Sequence, residues 1–442
     1  MKRNIWRSRE ARIPIAAVLP VLVFLVCGCG AAPVRQQSAV DIAMGTIVTQ
    51  TLYVRQGSGG DYGNEEAEDA ESSSVMGLLA DLERQELSWR MEGSEVAKIN
   101  ALASAGGIDQ PGAGDQPEAG DQPGTGMGDQ SEAGGIDRSG TGTEDQSEVG
   151  AGDQPGTRTG DQSEAGDQPG TGTENQPGDG GDLPRQGDVQ VALSPSMREI
   201  LERIWRISAD SGGALDVTLG RLSRLWNMDG LAAEGEGEGI SIPSTDQIRS
   251  ALEERGYERV RFAGDGMILP AGMQLDLGAV GKGIACDRVS AYLHSQPQIT
   301  GAVVTVGGSV VTYGEKPDGS PWKVAVIHPR EEGNYLGVLS LTGEQYVSTS
   351  GDYERYVMVD GVRYHHILDP ATGYPARSGL CSVTILCDGG LLADALSTAC
   401  FVLGPERGMA LAENYGAEAL FVREDGELQM TEGMKEIFSA GG

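Results

Sequence analysis

Apolar positions recur three and four residues apart in two stretches, "VMGLLADLERQELSWRMEGSEVAKINAL" (75–102) and "VALSPSMREILERIWRISADSGG" (191–213). That period predicts amphipathic helices. From Gly256 onward the pattern shortens to brief β-branched runs bounded by glycines or Asp-Gly: "YERVRFAGDGMILP", "QLDLGAV", "GAVVTVGGSVVTYG", "WKVAVIHP", "YLGVLSLTG", "QYVSTSG", "YERYVMVDG" and "CSVTILC". These predict strands. Two helical patterns interrupt them, "GKGIACDRVSAYLHSQ" and "LLADALSTACFVLGPERGMALAENYG". Strands in runs with helices between them predict an α+β fold.

Between the first two helical stretches, residues 101–188 repeat variants of GDQPGTG and GDQSEAG. Gly and Pro are dense there and large apolar residues almost absent, so ordering the segment would bury too little surface to offset its entropy. No repeat position is consistently apolar, which excludes a solenoid core. The expectation is a disordered insertion in a single globular domain, whose two parts are residues 29–100 and 189–442. A shorter loop of the same kind is "AAEGEGEGISIPST". The net charge is −32, and the insert alone holds 18 Asp and Glu against 3 Arg. The balance argues against a nucleic-acid partner.

Basic residues precede the apolar run "IPIAAVLPVLVFLV" and the small-residue stretch "CGCG". This resembles a bacterial lipoprotein signal of residues 1–28, with Cys29 as the lipidated residue. The expected location is the extracytoplasmic face of a cell membrane, held by lipid. The remaining Cys286, Cys381, Cys387 and Cys400 form no C-x-x-C or Cys/His cluster and are expected as buried thiols. Cys381 and Cys387, six apart, are expected on one strand face and too far apart to pair.

"LDLGAVGKGIACDRV" (275–289) looks like a phosphate loop but lacks its spacing, because two residues separate Gly278 from Gly281 and Gly283 stands where a hydroxyl should follow Lys282. Further on, Asp394, Ser397 and Thr398 stand at i, i+3 and i+4 at a helix start. Their hard oxygens suit part of a magnesium site, and equally suit a helix cap with hydroxyls bonded back into the turn. "RYHHILDPATGYPA" contains two of the four histidines in the chain. Alternation puts His365 and His366 on opposite faces, so at most one enters a cleft; Asp369 would orient it or hold the loop. Asp216 follows a Gly-Gly turn, Met44 sits on the strand "AMGTIVTQTLY", and Trp89 ends a helix, either packing or stacking on a ligand ring.

The order of these signals is more specific than any one of them. Met-Gly-Thr, Ser-aromatic, Asp-Val-Thr-Leu-Gly, L-D-L-G-x-x-x-K-G-x-x-x-D, Gly-Gly, T-S-G-D-Y-E-R, H-I-L-D-P-x-T-G and A-D-A-L-S-T-A follow one another from about Ala39 to the C-terminus. In this the sequence resembles the ApbE family of FAD:protein FMN transferases. The resemblance implies the ApbE-like flavin transferase fold with T-fold-like lobes. It also implies a magnesium-dependent enzyme that moves FMN from FAD to a Thr or Ser hydroxyl of an acceptor protein and releases AMP. The acceptor would be an exported or membrane redox protein, such as a subunit of an ion-pumping complex or a flavin reductase domain.

By the same resemblance the metal would lie between Asp394 and Thr398, with Ser397 nearby and the Ala279 carbonyl completing the protein ligands. FAD would contact Met44, Trp89, Ala214, Leu215, Asp216, Asp276, Lys282 and the backbone near Leu368. His366 would activate the acceptor hydroxyl. The chain departs from the family pattern at Trp89, often Tyr, at Leu215, commonly Phe, and at Ser397, where some relatives carry Asp or Ala. An FAD pyrophosphatase using water as acceptor and a non-catalytic flavin-binding lipoprotein are the competing functions.

Overall fold

A computed structural model of the chain describes residues 33–55, 65–106, 187–228, 230 and 242–441. The expected leader at 1–28, Cys29, most of the repeat and most of the Glu/Gly loop lie outside the described residues. Among those described, no helix is long and apolar enough to cross a membrane. The described residues all belong to one compact unit.

The unit is built on an eight-stranded antiparallel sheet whose spatial order follows the chain. Its strands are Val34–Ala43, Thr46–Arg55, Ile299–Val306, Ser309–Gly314, Gln345–Gly351, Leu380–Cys387, Glu418–Arg423 and Leu428–Met430. Every residue of Leu380–Cys387 is buried, because this central strand is covered on both faces. One face packs against the helices Gly281–His294 and Gly390–Leu403, where Val48, Val304, Val311 and Ile385 meet Ile284, Val289 and Leu396. The other face, with Val310, Val347, Leu386 and Leu420, packs against Trp322, Val324 and Leu339 of a three-stranded sheet. That smaller sheet runs Phe438–Ala440, Tyr335–Leu341, Trp322–Ile327, so the last strand lies at its edge.

Helix Pro195–Asp210 starts where Ser194 accepts a hydrogen bond from the Met197 amide and Pro195 supplies the first helical position. Its apolar stripe of Met197, Leu201, Ile204 and Ile207 is buried, as the 3.6-residue period requires.

Several expectations are corrected. "QLDLGAV" is not a strand, since Gln274 makes only an isolated bridge with Leu219 and residues 278–280 form a turn. The Asn100 side chain takes both backbone groups of Leu275, and the Val217 carbonyl accepts from the Asp276 amide. The long final helix is two, Gly390–Leu403 and Pro405–Asn414, broken at Gly404 with φ +82° before a proline. Helix Glu95–Gly106 runs through the insert boundary drawn at 101, and strand Asp188–Ala192 opens at the boundary drawn at 188. All four described cysteines are free and buried. A bulge between Leu380 and Ser382 turns Cys381 toward the smaller sheet while Cys387 faces the helices, so the two do not share a face.

Candidate active site

The site forms where the two core helices start. Both carry Gly-x-x-x-Asp, Gly283 to Asp287 and Gly390 to Asp394. A Cβ on Gly283 would collide with the Gly390 carbonyl, and one on Gly390 with the Gly283 carbonyl, so only glycines allow this crossing. At that distance each aspartate reaches the other helix. The Asp394 Oδ2 accepts from the Gly283 amide at 2.9 Å, and Asp287 accepts from the Gly390 and Leu391 amides at 2.5 and 3.0 Å. Neither helix has a cap from its own N-cap side chain; each is capped by its neighbour.

Asp394 is therefore inside its helix and is not that helix's cap. Its Oδ1 accepts from Ser348 Oγ at 2.8 Å and lies 4.0 Å from Lys282 Nζ. Ser397 Oγ donates to the Asp394 carbonyl and pairs with Ser350 Oγ at 2.8 Å, while Thr398 Oγ1 is 3.2 Å from Ser350 Oγ. Asp394 and Ser397 are fully buried behind the wall. Thr398 and Ala279 reach the cleft.

The cleft has two lobes. The larger, about 1000 Å³, is lined by Met44, Trp89, Asp276 and Lys282 among others. The smaller, about 140 Å³, is lined by Ala214, Leu215, Asp216, Ala279, His366, Leu368 and Thr398. Trp89, Asp276, Lys282, Glu354 and Arg355 line both, so the lobes adjoin. Every expected flavin-site residue thus borders one cleft.

Each is fixed locally. Met44 is not on a strand; it holds φ +54° in the turn between the first two strands, and its amide donates to Glu83 at 3.0 Å. The ring of Trp89 has the guanidiniums of Arg90 and Arg224 over it at 4.7 and 4.6 Å, so it gathers positive charge at the cleft. Asp216 accepts from the Thr218 amide and hydroxyl, and its burial raises the carboxyl pKa. Asp276 accepts from the Gly278 amide, which shapes the turn before Lys282.

Of the two histidines only His366 faces the cleft. His365 is buried, donates to the Ala376 carbonyl at 3.0 Å, and meets Phe401 edge-on. His366 Nδ1 donates to the Arg355 carbonyl at 3.3 Å, a tautomer that leaves Nε2 as an acceptor. Desolvation, reinforced by the charges of Arg355 and Lys282, holds this imidazole well below 6.5, so it is neutral at neutral pH. Asp369 does not orient it. Its carboxylate accepts from Ala371 and Thr372, which closes the Asp-Pro turn.

Two wall residues went unassigned in the sequence, although T-S-G-D-Y-E-R contains them. Asp352 is clamped by Arg330 through two bonds of 2.6 and 2.7 Å, and the loop it anchors projects Glu354 and Arg355 into the cleft. Glu354 has surface open to the cleft yet is largely surrounded by protein, and that desolvation raises its carboxyl pKa against the pull of Lys282. Glu83 was missed entirely, because nothing near it in sequence marks a contact 39 residues away.

Among the described residues no three His, Cys, Asp or Glu side chains form a metal cluster. The candidate centre has a different donor set: one carboxylate, Asp394, with the Thr398 hydroxyl and Ala279 at the cleft. Few protein oxygens, all hard, with the remaining positions open to phosphate and water, fit magnesium.

The sequence pattern of the ApbE family matches residues 181–421. The chain is 34% identical over 265 residues to the FAD:protein FMN transferase of Treponema pallidum (strain Nichols), covering 56% of this chain and 71% of that protein. It is 33% identical over 242 residues to the FAD:protein FMN transferase of Escherichia coli (strain K12), covering 53% and 67%. The fold superposes on the apo form of the Pseudomonas stutzeri flavinyl transferase ApbE with a TM-score of 0.61 at 26% identity, covering 92% of this chain and 98% of that one. It superposes on the ApbE protein of Thermotoga maritima with a TM-score of 0.62 at 26% identity, covering 92% and 100%. With the family pattern spanning more than half its length, the chain belongs to the ApbE family.

Proposed function

We propose that the chain is a magnesium-dependent FAD:protein FMN transferase, which moves FMN from FAD to a Thr or Ser hydroxyl of an exported or membrane redox protein and releases AMP. The observation that carries this is the meeting of Lys282, a neutral His366 and Thr398 on one cleft, with Asp394 directly behind. Phosphoryl transfer depends on positioning and charge neutralisation, and the cleft wall supplies both.

Lys282, with Arg90 and Arg355, draws the pyrophosphate into the cleft. Met44 and Trp89 offer contacts to the isoalloxazine, and Ala214, Leu215, Asp216, Asp276 and the Leu368 backbone offer contacts to the rest of FAD. His366 Nε2 takes the proton of the acceptor hydroxyl, whose oxygen forms a bond to the FMN phosphorus while the bond to the AMP phosphate breaks. Asp394 and Thr398, with the Ala279 carbonyl, would hold magnesium, which neutralises charge on the pyrophosphate when bound; Ser397 holds that turn from behind. Lipid at Cys29 would keep the enzyme beside membrane acceptors.

The test incubates the full chain with FAD, magnesium and candidate acceptors. A flavin mass increment on an acceptor, absent with Asp394→Ala, is expected. AMP release with no labelled acceptor would replace the transferase with a pyrophosphatase, and tight FAD binding without turnover would replace it with a carrier.

A further inference from the structure

The larger lobe holds a feature that a dinucleotide site does not require. Lys323, Val324, Ala325, Val326 and Ile327 all line it. Side chains alternate along this strand, buried at Val324 and Val326 and exposed at Lys323, Ala325 and Ile327. Five consecutive residues can border one space only if the strand's edge faces it.

Backbone directions follow from the neighbouring strands. The Gly441 amide donates to the Leu336 carbonyl, so Leu336, Val338 and Ser340 turn their backbone groups toward Phe438–Ala440. Gly337, Leu339 and Leu341 then turn toward the other side, where they pair with Val326, Val324 and Trp322. The amides and carbonyls of Lys323, Ala325 and Ile327 consequently point away from their sheet, and among the described residues no strand pairs with them. Such a row is a template for one more strand.

We propose that the acceptor protein binds by strand addition: an extended segment pairs with the Trp322–Ile327 edge, and this places its Thr or Ser in the cleft. The proposal rests on the transferase function above. The shared wall of the two lobes supports this occupant. The lobe that exposes the edge also contains Lys282, Glu354 and Arg355, and these residues line the lobe of His366 as well. Main-chain pairing gives affinity with little demand on side chains, which suits an enzyme that labels a loop on a larger protein.

The experiment uses the full chain, FAD, magnesium and synthetic peptides with a single Thr. Peptides that the wild-type chain labels are remade with N-methyl groups on alternate backbone amides. Ala325→Pro removes one outward amide at an edge, where proline is tolerated. Expected are a loss of about tenfold or more in kcat/KM for peptide flavinylation by Ala325→Pro, unchanged FAD binding and AMP release to water, and no labelling of the methylated peptides by the wild type. Equal labelling of methylated and plain peptides would overturn the proposal, as would a variant that labels normally or that loses FAD binding along with labelling. If the wild-type chain releases AMP and labels no peptide, the transferase function itself fails, a result distinct from the others.

Discussion

Asp287 and Asp394 cap each other's helices. Each lies four residues after the glycine at which the helices touch, and each accepts amides from the first turn of its neighbour. The candidate metal carboxylate and the candidate phosphate-binding lysine are thereby fixed by one contact.

Asp287 is a positioning residue. Asp287→Ala leaves the Gly390 and Leu391 amides without their acceptor, at a cost of about 1–3 kcal/mol. It should also lower turnover by loosening the helix that carries Asp394. Asp287→Asn keeps an acceptor oxygen and should recover part of both. Denaturant melts with AMP-release rates distinguish the outcomes, and wild-type turnover in Asp287→Ala would show that the cap does not position Asp394.

Gly283→Ala should be worse than its size suggests. The added methyl meets the Gly390 carbonyl and the Asp394 side chain, neither of which is a flexible tip. Overpacking of this kind costs about 1–3 kcal/mol, and here the strain falls on the site itself. A lowered melting temperature with turnover lost even well below the melt is expected.

Sequence reasoning reached the cleft because its parts are local. Each motif is a turn or helix start whose residues lie within a few positions, so their types were readable. What joins the motifs was not. Gly283 and Asp394 are 111 positions apart, and no periodicity reports their bond. "QLDLGAV" imitated a strand because Leu275 and Leu277 are both buried around the partly exposed Asp276, while its backbone bonds went to Asn100 and Val217. Ser397 was grouped with Asp394 and Thr398 by spacing, yet its hydroxyl turns back into the helix.

The depressed pKa of His366 has two consequences with a definite sign. The unfolded chain takes up a proton as pH falls through about 6.5, while the folded chain resists it, so stability declines below that pH. His366→Gln should flatten this part of the stability profile. The same depression keeps the base form available in acid, so the acidic limb of kcat/KM should lie well below pH 6.5 in the wild type. Urea melts and rate profiles from pH 5 to 8 check both. A limb at 6.5 would mean that the imidazole is solvated.

Asp394→Asn isolates charge from structure. The amide oxygen can still accept from the Gly283 amide. The amide nitrogen can donate to Ser348 Oγ, which then donates to Ser309 Oγ, 2.9 Å away, in place of its present bond to the carboxylate. The hydrogen bonds of residue 394 survive while the Ser309 hydroxyl loses its acceptor, so stability should fall by no more than about 1–3 kcal/mol. What disappears is the negative charge beside Lys282, on the carboxylate proposed to hold the cation. Turnover should fall by about 10²-fold or more, the scale of losing a preorganised electrostatic group. The remaining rate should no longer respond to magnesium. Thermal melts and AMP release across a magnesium titration test this together; a variant that melts normally and keeps its magnesium response would remove Asp394 from the metal site.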